Sequence, residues 1–217
     1  MEQNTLDEVR DIKKSLRLAM NGVVSTLQRR QGLDYKINFG VETPRLRGIA
    51  AAHSKNKELA AMLWQDNIRE CKMLAIFLMP EDGYHEVADK WIGETKFTEI
   101  ADQLAMHLLC KLPNAWEKAL LWTANDEGMY CYCGFLTISH LIRSGIMPDK
   151  EQEQIFFRSV ISQDTQDGQG IAVRCALNAL INYLDSSPGS IKTLKELIGD
   201  KSGESTAITA LLENFEE

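Results

Sequence analysis

The chain lacks most signatures that assign a function from sequence. It has no Walker loop, GxSxG, HExxH or dinucleotide fingerprint. Gly168-Gln-Gly170 has no strand before it and reads as a loop. The four histidines, His53, His85, His107 and His140, are scattered, and neither CxxC nor HxxxH spacing occurs, so no metal and no cofactor is expected. The five cysteines are odd in number and lie inside apolar helical patterns. Cys71, Cys110 and Cys175 read as small core residues of a reducing compartment. Cys131 and Cys133 would point about 200° apart on a helix, too far to hold one ion together. The longest apolar run, Met73 to Met79, is too short to span a bilayer. The opening Met-Glu-Gln-Asn-Thr has neither a basic nor an apolar leader region, so the expected compartment is the cytoplasm. There is no excess of positive charge either. The net charge is −7, and Asp200 to Glu217 holds five acidic residues against Lys201, leaving −3 for the rest. That weighs against strong nonspecific nucleic-acid binding, although it leaves room for a local basic surface.

What is present is helical periodicity. With 217 residues, 44% hydrophobic and 25% charged, the chain can bury one large core or two small ones. No strand alternation appears. Breaks fall at Phe39-Gly40-Val41, Pro80 to Gly83, Pro113-Asn114, Ser144-Gly145, Pro148-Asp149, the polar loop Asp164 to Gly170, and Ser186 to Ser190. Thr43-Pro44 supplies an N-cap and a first-turn proline. Helices are predicted over 5–18, 21–30, 44–53, 57–65, 68–79, 84–94, 97–112, 113–124, 127–144, 150–162, 169–185 and 190–198, about ten if two fuse or fray. Three passages echo one another: Lys57 to Trp64, Trp116 to Trp122, and Ile155 to Ile161, each followed by a break and a more apolar helix. Helix, turn, apolar helix is the grammar of an α-solenoid, with a generic bundle as the alternative. Trp64, Trp91, Trp116 and Trp122 sit at helical spacing among Leu and Ala, and most of them read as core. Arg29-Arg30 and the set Arg10, Lys13, Lys14, Arg17, interleaved with Asp7, Glu8 and Asp11, read as an ordinary charged face.

Asp102 stands out. Drawn as one helix, Phe97 to Lys111 places Gln103, His107 and Lys111 on a narrow polar stripe at about 100° per residue. Asp102 falls outside it, between Met106 and Leu109 on the apolar side. A charge there requires a partner, a solvent-filled cleft or a chemical role. The plainer alternative is a buried carboxylate that caps a neighbouring helix.

The run Tyr35-Lys-Ile-Asn-Phe-Gly-Val-Glu-Thr-Pro-Arg-Leu-Arg-Gly-Ile-Ala50 resembles the opening of the DNA alkylation repair family. Those proteins are HEAT-like glycosylases that remove alkylated purines. The resemblance continues through Glu58-Leu-Ala to Trp64, Ala101-Asp-Gln-Leu-Ala-Met106, Pro113 to Trp122, Cys133-Gly-Phe-Leu136 and Arg174 to Leu180, covering roughly residues 30–185. It implies that Asp102 holds the place of the family's catalytic carboxylate. A purine alkylated at N3 or N7 is already cationic and leaves without a general acid. Its departure puts positive charge on the deoxyribose, as in glycoside hydrolysis, and a fixed anion beside the sugar stabilises that charge. The chain departs from the family pattern at three places. Phe97 and Thr98 stand where a Trp is usual, Tyr132 where an Arg is usual, and Asn178 where a second Trp is usual.

The expected fold is therefore all-α, with HEAT-like helical repeats stacked in a curved α-solenoid and no substantial sheet. Residues 1–200 are expected to form a single domain, followed by an acidic tail or short terminal helix over 201–217. The expected function is that of a DNA-repair protein binding duplex DNA on a concave face. Asp102 is the candidate catalytic residue, Phe97, Tyr132 and Asn178 the candidates for substrate contact. Arg45, Arg47, Arg143 and Arg174 are the candidate backbone grips, with solvated helix surface as the alternative for each. Two other functions stay open: a noncatalytic binder of unusual DNA structures, and a scaffold for a protein partner.

Overall fold

The structure is a computed structural model and describes residues 2–165, 170–199 and 206–215. Residues 166–169 of the predicted polar loop, and 201–205, 216 and 217 of the predicted tail, lie outside the described residues. Among those described, thirteen α-helices follow one another: α1 (Glu2–Leu18), α2 (Gly22–Arg30), α3 (Thr43–Ala51), α4 (Lys57–Gln65), α5 (Arg69–Leu78), α6 (Tyr84–Gly93), α7 (Thr98–His107), α8 (Ala115–Thr123), α9 (Gly128–Arg143), α10 (Lys150–Thr165), α11 (Ile171–Ser186), α12 (Ile191–Ile198) and α13 (Thr206–Asn214). No strand appears among the described residues, only an isolated parallel bridge between Ile37 and Ile68. The fold is all-α, as the periodicity predicted.

Local chemistry sets two of the helix starts. Asn21 Oδ1 accepts from the amides of Val23 and Val24, and Asn56 Oδ1 from that of Leu59, so two orphan helix starts are satisfied by side chains. Two predicted boundaries shift. Glu42, not Thr43, is the N-cap of α3, and Pro44 still lies in the first turn, where its missing N–H costs nothing. The predicted helix 97–112 breaks at Leu108, whose φ of −127° is not helical, and a 3-10 turn covers Leu109–Lys111. Pro113 disfavours helical backbone at Leu112, which is extended at ψ 141°. The break lets both Leu108 and Leu109 point into the core at 0% exposure. It also takes Lys111 out of the stripe drawn on a continuous helix.

Packing divides the chain into two compact units, one up to Lys90 and one from Trp91 on. In the first, α4 packs on α1 and α5, and α5 on α3. Its interior includes a buried ion pair. Glu70 accepts hydrogen bonds from the amides of Phe39 and Val41 at 3.1 and 3.2 Å, while Arg69 donates to the Val41 carbonyl and to Glu70. The pair thereby fixes the Phe39-Gly40-Val41 turn. Gly40 sits at φ +69°, and an added Cβ would lie 2.3 Å from the Asn21 carbonyl oxygen, so only glycine fits.

In the second unit, α9 packs against α7, α8 and α11, and α10 against α8 and α11. This is a two-layer arrangement, with α7, α9 and α11 in one layer and α8 and α10 in the other. The Cys175 thiol approaches the Tyr132 carbonyl at 3.9 Å, and Asn182 donates to Ser139 at 2.7 Å; both pairs are 43 residues apart. A constant offset at two points means that α9 and α11 run parallel in register. A 43-residue step falls in the HEAT range of about 40–47. The three sequence echoes are the three contacting helix pairs α4 with α5, α8 with α9, and α10 with α11. All four tryptophans are buried. Trp116, Phe156, Phe157 and Tyr183 form a ring cluster with centroids 5.5 to 6.3 Å apart, mostly edge to face.

The backbones of α8 and α9 approach closely at Gly134 of α9. A Cβ there would stand 2.8 Å from the Ala119 carbonyl oxygen and 2.8 Å from the Thr123 amide nitrogen of α8. Replacing glycine by alanine inside an unobstructed helix gains about 1 kcal/mol. Here the obstacle is main chain and cannot swing aside. Gly134→Ala is expected to lose about 1–3 kcal/mol instead, as for other overpacked core sites. Urea denaturation checks the sign, and an unchanged or higher stability would contradict the packing described.

Candidate functional site

The candidate site is built on the layer formed by α7, α9 and α11. Asp102 lies in the middle of α7, and its carboxylate is half-buried. Its Oδ1 accepts a hydrogen bond of 3.0 Å from the Tyr132 hydroxyl of α9. Its Oδ2 takes no hydrogen bond from the described residues. The carboxylate is neither sealed nor bonded to helix-start amides, so it is not a cap. One turn further, Met106 is 40% exposed, so the side of α7 that carries Asp102 opens to solvent. Gln103, placed by the sequence on the solvated stripe, instead has a buried side-chain oxygen without a hydrogen bond.

Tyr132 is the element that holds the carboxylate. It is only 9% exposed, so its ring is part of the packing between helices, and its hydroxyl is its working end. Burial and the neighbouring Asp102 charge push the phenol well above its ordinary range, so it stays a donor. Asp102 itself is pushed upward, because burial outweighs the opposing effects of the Tyr132 hydrogen bond and of His140. His140 lies about two turns past Tyr132 on α9. Burial and then Arg143 push it down, while Asp102 pulls it up. Sequence reading passed over His140 as one of four scattered histidines; its place two turns from Tyr132 on one helix was the available signal. The flanking thiols are chemically quiet. Burial raises Cys131 to about 11 and Cys175 to about 12, and raises Cys133 further.

The other candidates are distributed more widely. Phe97 is the N-cap residue of α7 and half-buried. It precedes Asp102 by five residues, about 140° around the helix. Asn178 and Arg174 are exposed and one turn apart on α11. The 43-residue register sets Arg174 level with the start of the Tyr132 turn. Arg143 is exposed in the last turn of α9, about 16 Å further along the axis. Arg45 and Arg47 are exposed on α3 in the other unit, where Arg47 lies 6.0 Å from the Phe77 ring centre. The structure thus brings Asp102, Tyr132 and His140 together, and distributes the arginines along separate helices.

The family model described as DNA alkylation repair enzyme matches residues 26–199. The chain belongs to that family. No curated protein and no solved structure gives a significant match. Family membership suggests a role in DNA repair and implies an interaction with DNA. Within the matched span, Gly40 and Gly134 belong to the two runs quoted from the sequence, and each is a position where a side chain would strike backbone. At both positions glycine is a packing requirement. Asp102 is held differently: one carboxylate oxygen accepts from the largely buried Tyr132, and the other has no hydrogen-bond partner among the described residues. Among the described residues, no helix is long and apolar enough to cross a membrane, and no group of His, Cys, Asp and Glu could hold a metal ion.

The electrostatics of the site have a testable consequence. A carboxylate whose folded-state pKa is raised binds its proton more tightly in the folded than in the unfolded chain. Its contribution is fully favourable below the ordinary value near 3.8 and is lost as pH rises through the folded value. Asp102→Asn keeps an acceptor for Tyr132 and removes the charge. The variant is therefore expected to melt at a higher temperature than the wild type at neutral pH, with the gap closing below pH 4. Thermal melts across pH check this; a variant less stable at neutral pH would assign Asp102 a structural role.

Proposed function

We propose that this protein excises alkylated purines from duplex DNA, with the Asp102 carboxylate stabilising the sugar cation. One observation carries the reading: within a DNA alkylation repair fold, a partly desolvated carboxylate is held by one donor and keeps its second oxygen open. A charge that is costly in place gains most when a cation arrives beside it. The leaving base needs no acid when it is already cationic, so one carboxylate suffices for the chemistry. The deoxyribose acquires positive charge as the bond to the base lengthens. Asp102 faces that charge with Oδ2, while the Tyr132 hydroxyl, bonded to Oδ1, fixes the orientation of the carboxylate. The same anion can orient the water that attacks C1′. Phe97 and Asn178 are the proposed contacts to the extruded nucleotide. Arg143 and Arg174 are the proposed phosphate contacts in this unit, and Arg45 and Arg47 those of the other.

Binding without excision is a second reading, favoured by one feature. At the position where the resemblance leads to an Arg, Tyr132 takes up one oxygen of the carboxylate. Duplex binding is common to both readings and rests on phosphate contacts. It is therefore expected to weaken steeply with salt, which fluorescence anisotropy at several ionic strengths checks. Excision separates them. Wild-type protein is expected to release 3-methyladenine or 7-methylguanine from methylated duplex DNA, and Asp102→Asn to lose at least 100-fold in rate while binding DNA as before. Salt-sensitive binding with no release by the wild type would establish the noncatalytic reading. No binding at low salt, with damaged and branched DNA included, would leave a protein-binding scaffold.

A further inference from the structure

The first unit contains a cavity of about 530 Å³, a size typical of small-ligand sites. Three segments form it. From α1 come Lys13 and Arg17, one turn apart on the same face. The loop before Gly40 contributes Lys36 and Ile37, and the turn between α4 and α5 contributes Gln65, Asp66 and Asn67. The loop and the turn are tied to each other. The Ile37 amide donates to the Asn67 carbonyl and the Arg69 amide to the Ile37 carbonyl, both at 3.3 Å. The buried Glu70 holds the Phe39 amide immediately beyond. Backbone bonds therefore join two of the three segments, and the Lys13–Asp66 ion pair joins α1 to the turn.

The charge of the cavity runs against that of the chain. Lys13 is paired with Asp66 at 2.9 Å, which neutralises both. Arg17 and Lys36 are exposed and have no ion pair or hydrogen bond through their side chains to the described residues. Arg17 and Lys36 thus line one cavity with no ion-pair partner among the described residues, beside the paired Lys13 and Asp66. Part of the wall is apolar: Ile37 is 39% exposed, and the largely buried Phe39 and Ile68 also line the cavity. Gln65 and Asn67, both exposed, also line it, and their side-chain amides carry both donors and acceptors.

We infer that this cavity binds a nucleoside phosphate monoester. A phosphate monoester carries a charge of about −1.5 to −2 near neutral pH, which matches the two unpaired cations. Arg17 supplies the planar fork that suits phosphate oxygens, and Lys36 a point charge beside it. The apolar wall accepts the face of a planar base, and the amides of Gln65 and Asn67 meet its polar edge. Two sources share this chemistry: a free mononucleotide, and the phosphorylated 5′ end of a nucleic-acid strand. The inference uses no residue of the Asp102 site and stands apart from the proposed excision activity.

The test is calorimetric titration of the full chain with deoxyadenosine 5′-monophosphate, and with deoxyadenosine and inorganic phosphate as comparisons. The expected result is saturable binding of the monophosphate, at least tenfold tighter than that of the nucleoside. The double variant Arg17→Ala/Lys36→Ala, which alters only exposed side chains, is expected to lose at least tenfold. Duplexes with a 5′-phosphate or a 5′-hydroxyl then separate the sources. Preference for the 5′-phosphate, lost in the double variant, assigns the site to strand ends; equal binding of the two duplexes assigns it to the free nucleotide. No saturable binding of the monophosphate at millimolar concentration would overturn the inference. Nucleoside binding as tight as the monophosphate, or binding unchanged in the double variant, would do so equally.

Discussion

The approach of α9 to α8 at Gly134 is the constraint on which the second unit depends. With no side chain at that position, the backbone of α9 can settle against Ala119 and Thr123 of its partner helix. That contact fixes the rotation of α9 about its own axis. Tyr132 precedes Gly134 by two residues, about 200° around the helix, and so points away from α8. There it meets α7, and its hydroxyl reaches Asp102. On another flank of α9, the same rotation offers Ser139 to Asn182 and the Tyr132 carbonyl to Cys175, which set the 43-residue register with α11. A missing methyl group thus sets the geometry around one carboxylate.

Two carboxylates show how burial can be handled differently in one chain. Glu70 is fully buried, but its oxygens accept from two main-chain amides and from Arg69, so its charge is compensated within the fold. It serves as a fastener for the turn before α3. Asp102 is less buried and less satisfied, with one hydroxyl donor and an open oxygen. Its proton affinity rises because desolvation is incompletely offset. Structural carboxylates are held as Glu70 is. Asp102 is held by a single hydroxyl, which leaves its second oxygen without a hydrogen-bond partner among the described residues.

Much of this was legible in the sequence, for definite reasons. Helix positions were readable because apolar spacing changes little within a helix, and the pairs α4 with α5, α8 with α9 and α10 with α11 were readable because each repeats the same alternation of polarity. Asp102 was noticeable because a charge off the polar stripe violates amphipathic patterning. The break at Leu108 was not, because leucines favour helix; Pro113 accounts for the extended backbone of Leu112, and the bend four residues earlier leaves no mark in the sequence. The buried Arg69–Glu70 pair was hidden because its partners are backbone groups about thirty residues away. The cation cavity was hidden for a related reason. Lys13 and Arg17 alternate with acids along α1 and read as a solvated face, until the fold brings Lys36 and the turn after α4 beside them.

The central claim is that the negative charge of Asp102 acts on a sugar cation. The most direct measurement is the affinity for duplex DNA bearing a cationic pyrrolidine in place of one deoxyribose, compared with a duplex bearing a neutral tetrahydrofuran at the same position. A site complementary to the transition state binds the cation more tightly than its neutral isostere. The account predicts a preference of at least tenfold for the cationic duplex in the wild type, and its loss in Asp102→Asn. Equal affinities in the wild type, or a preference that survives the substitution, would contradict it.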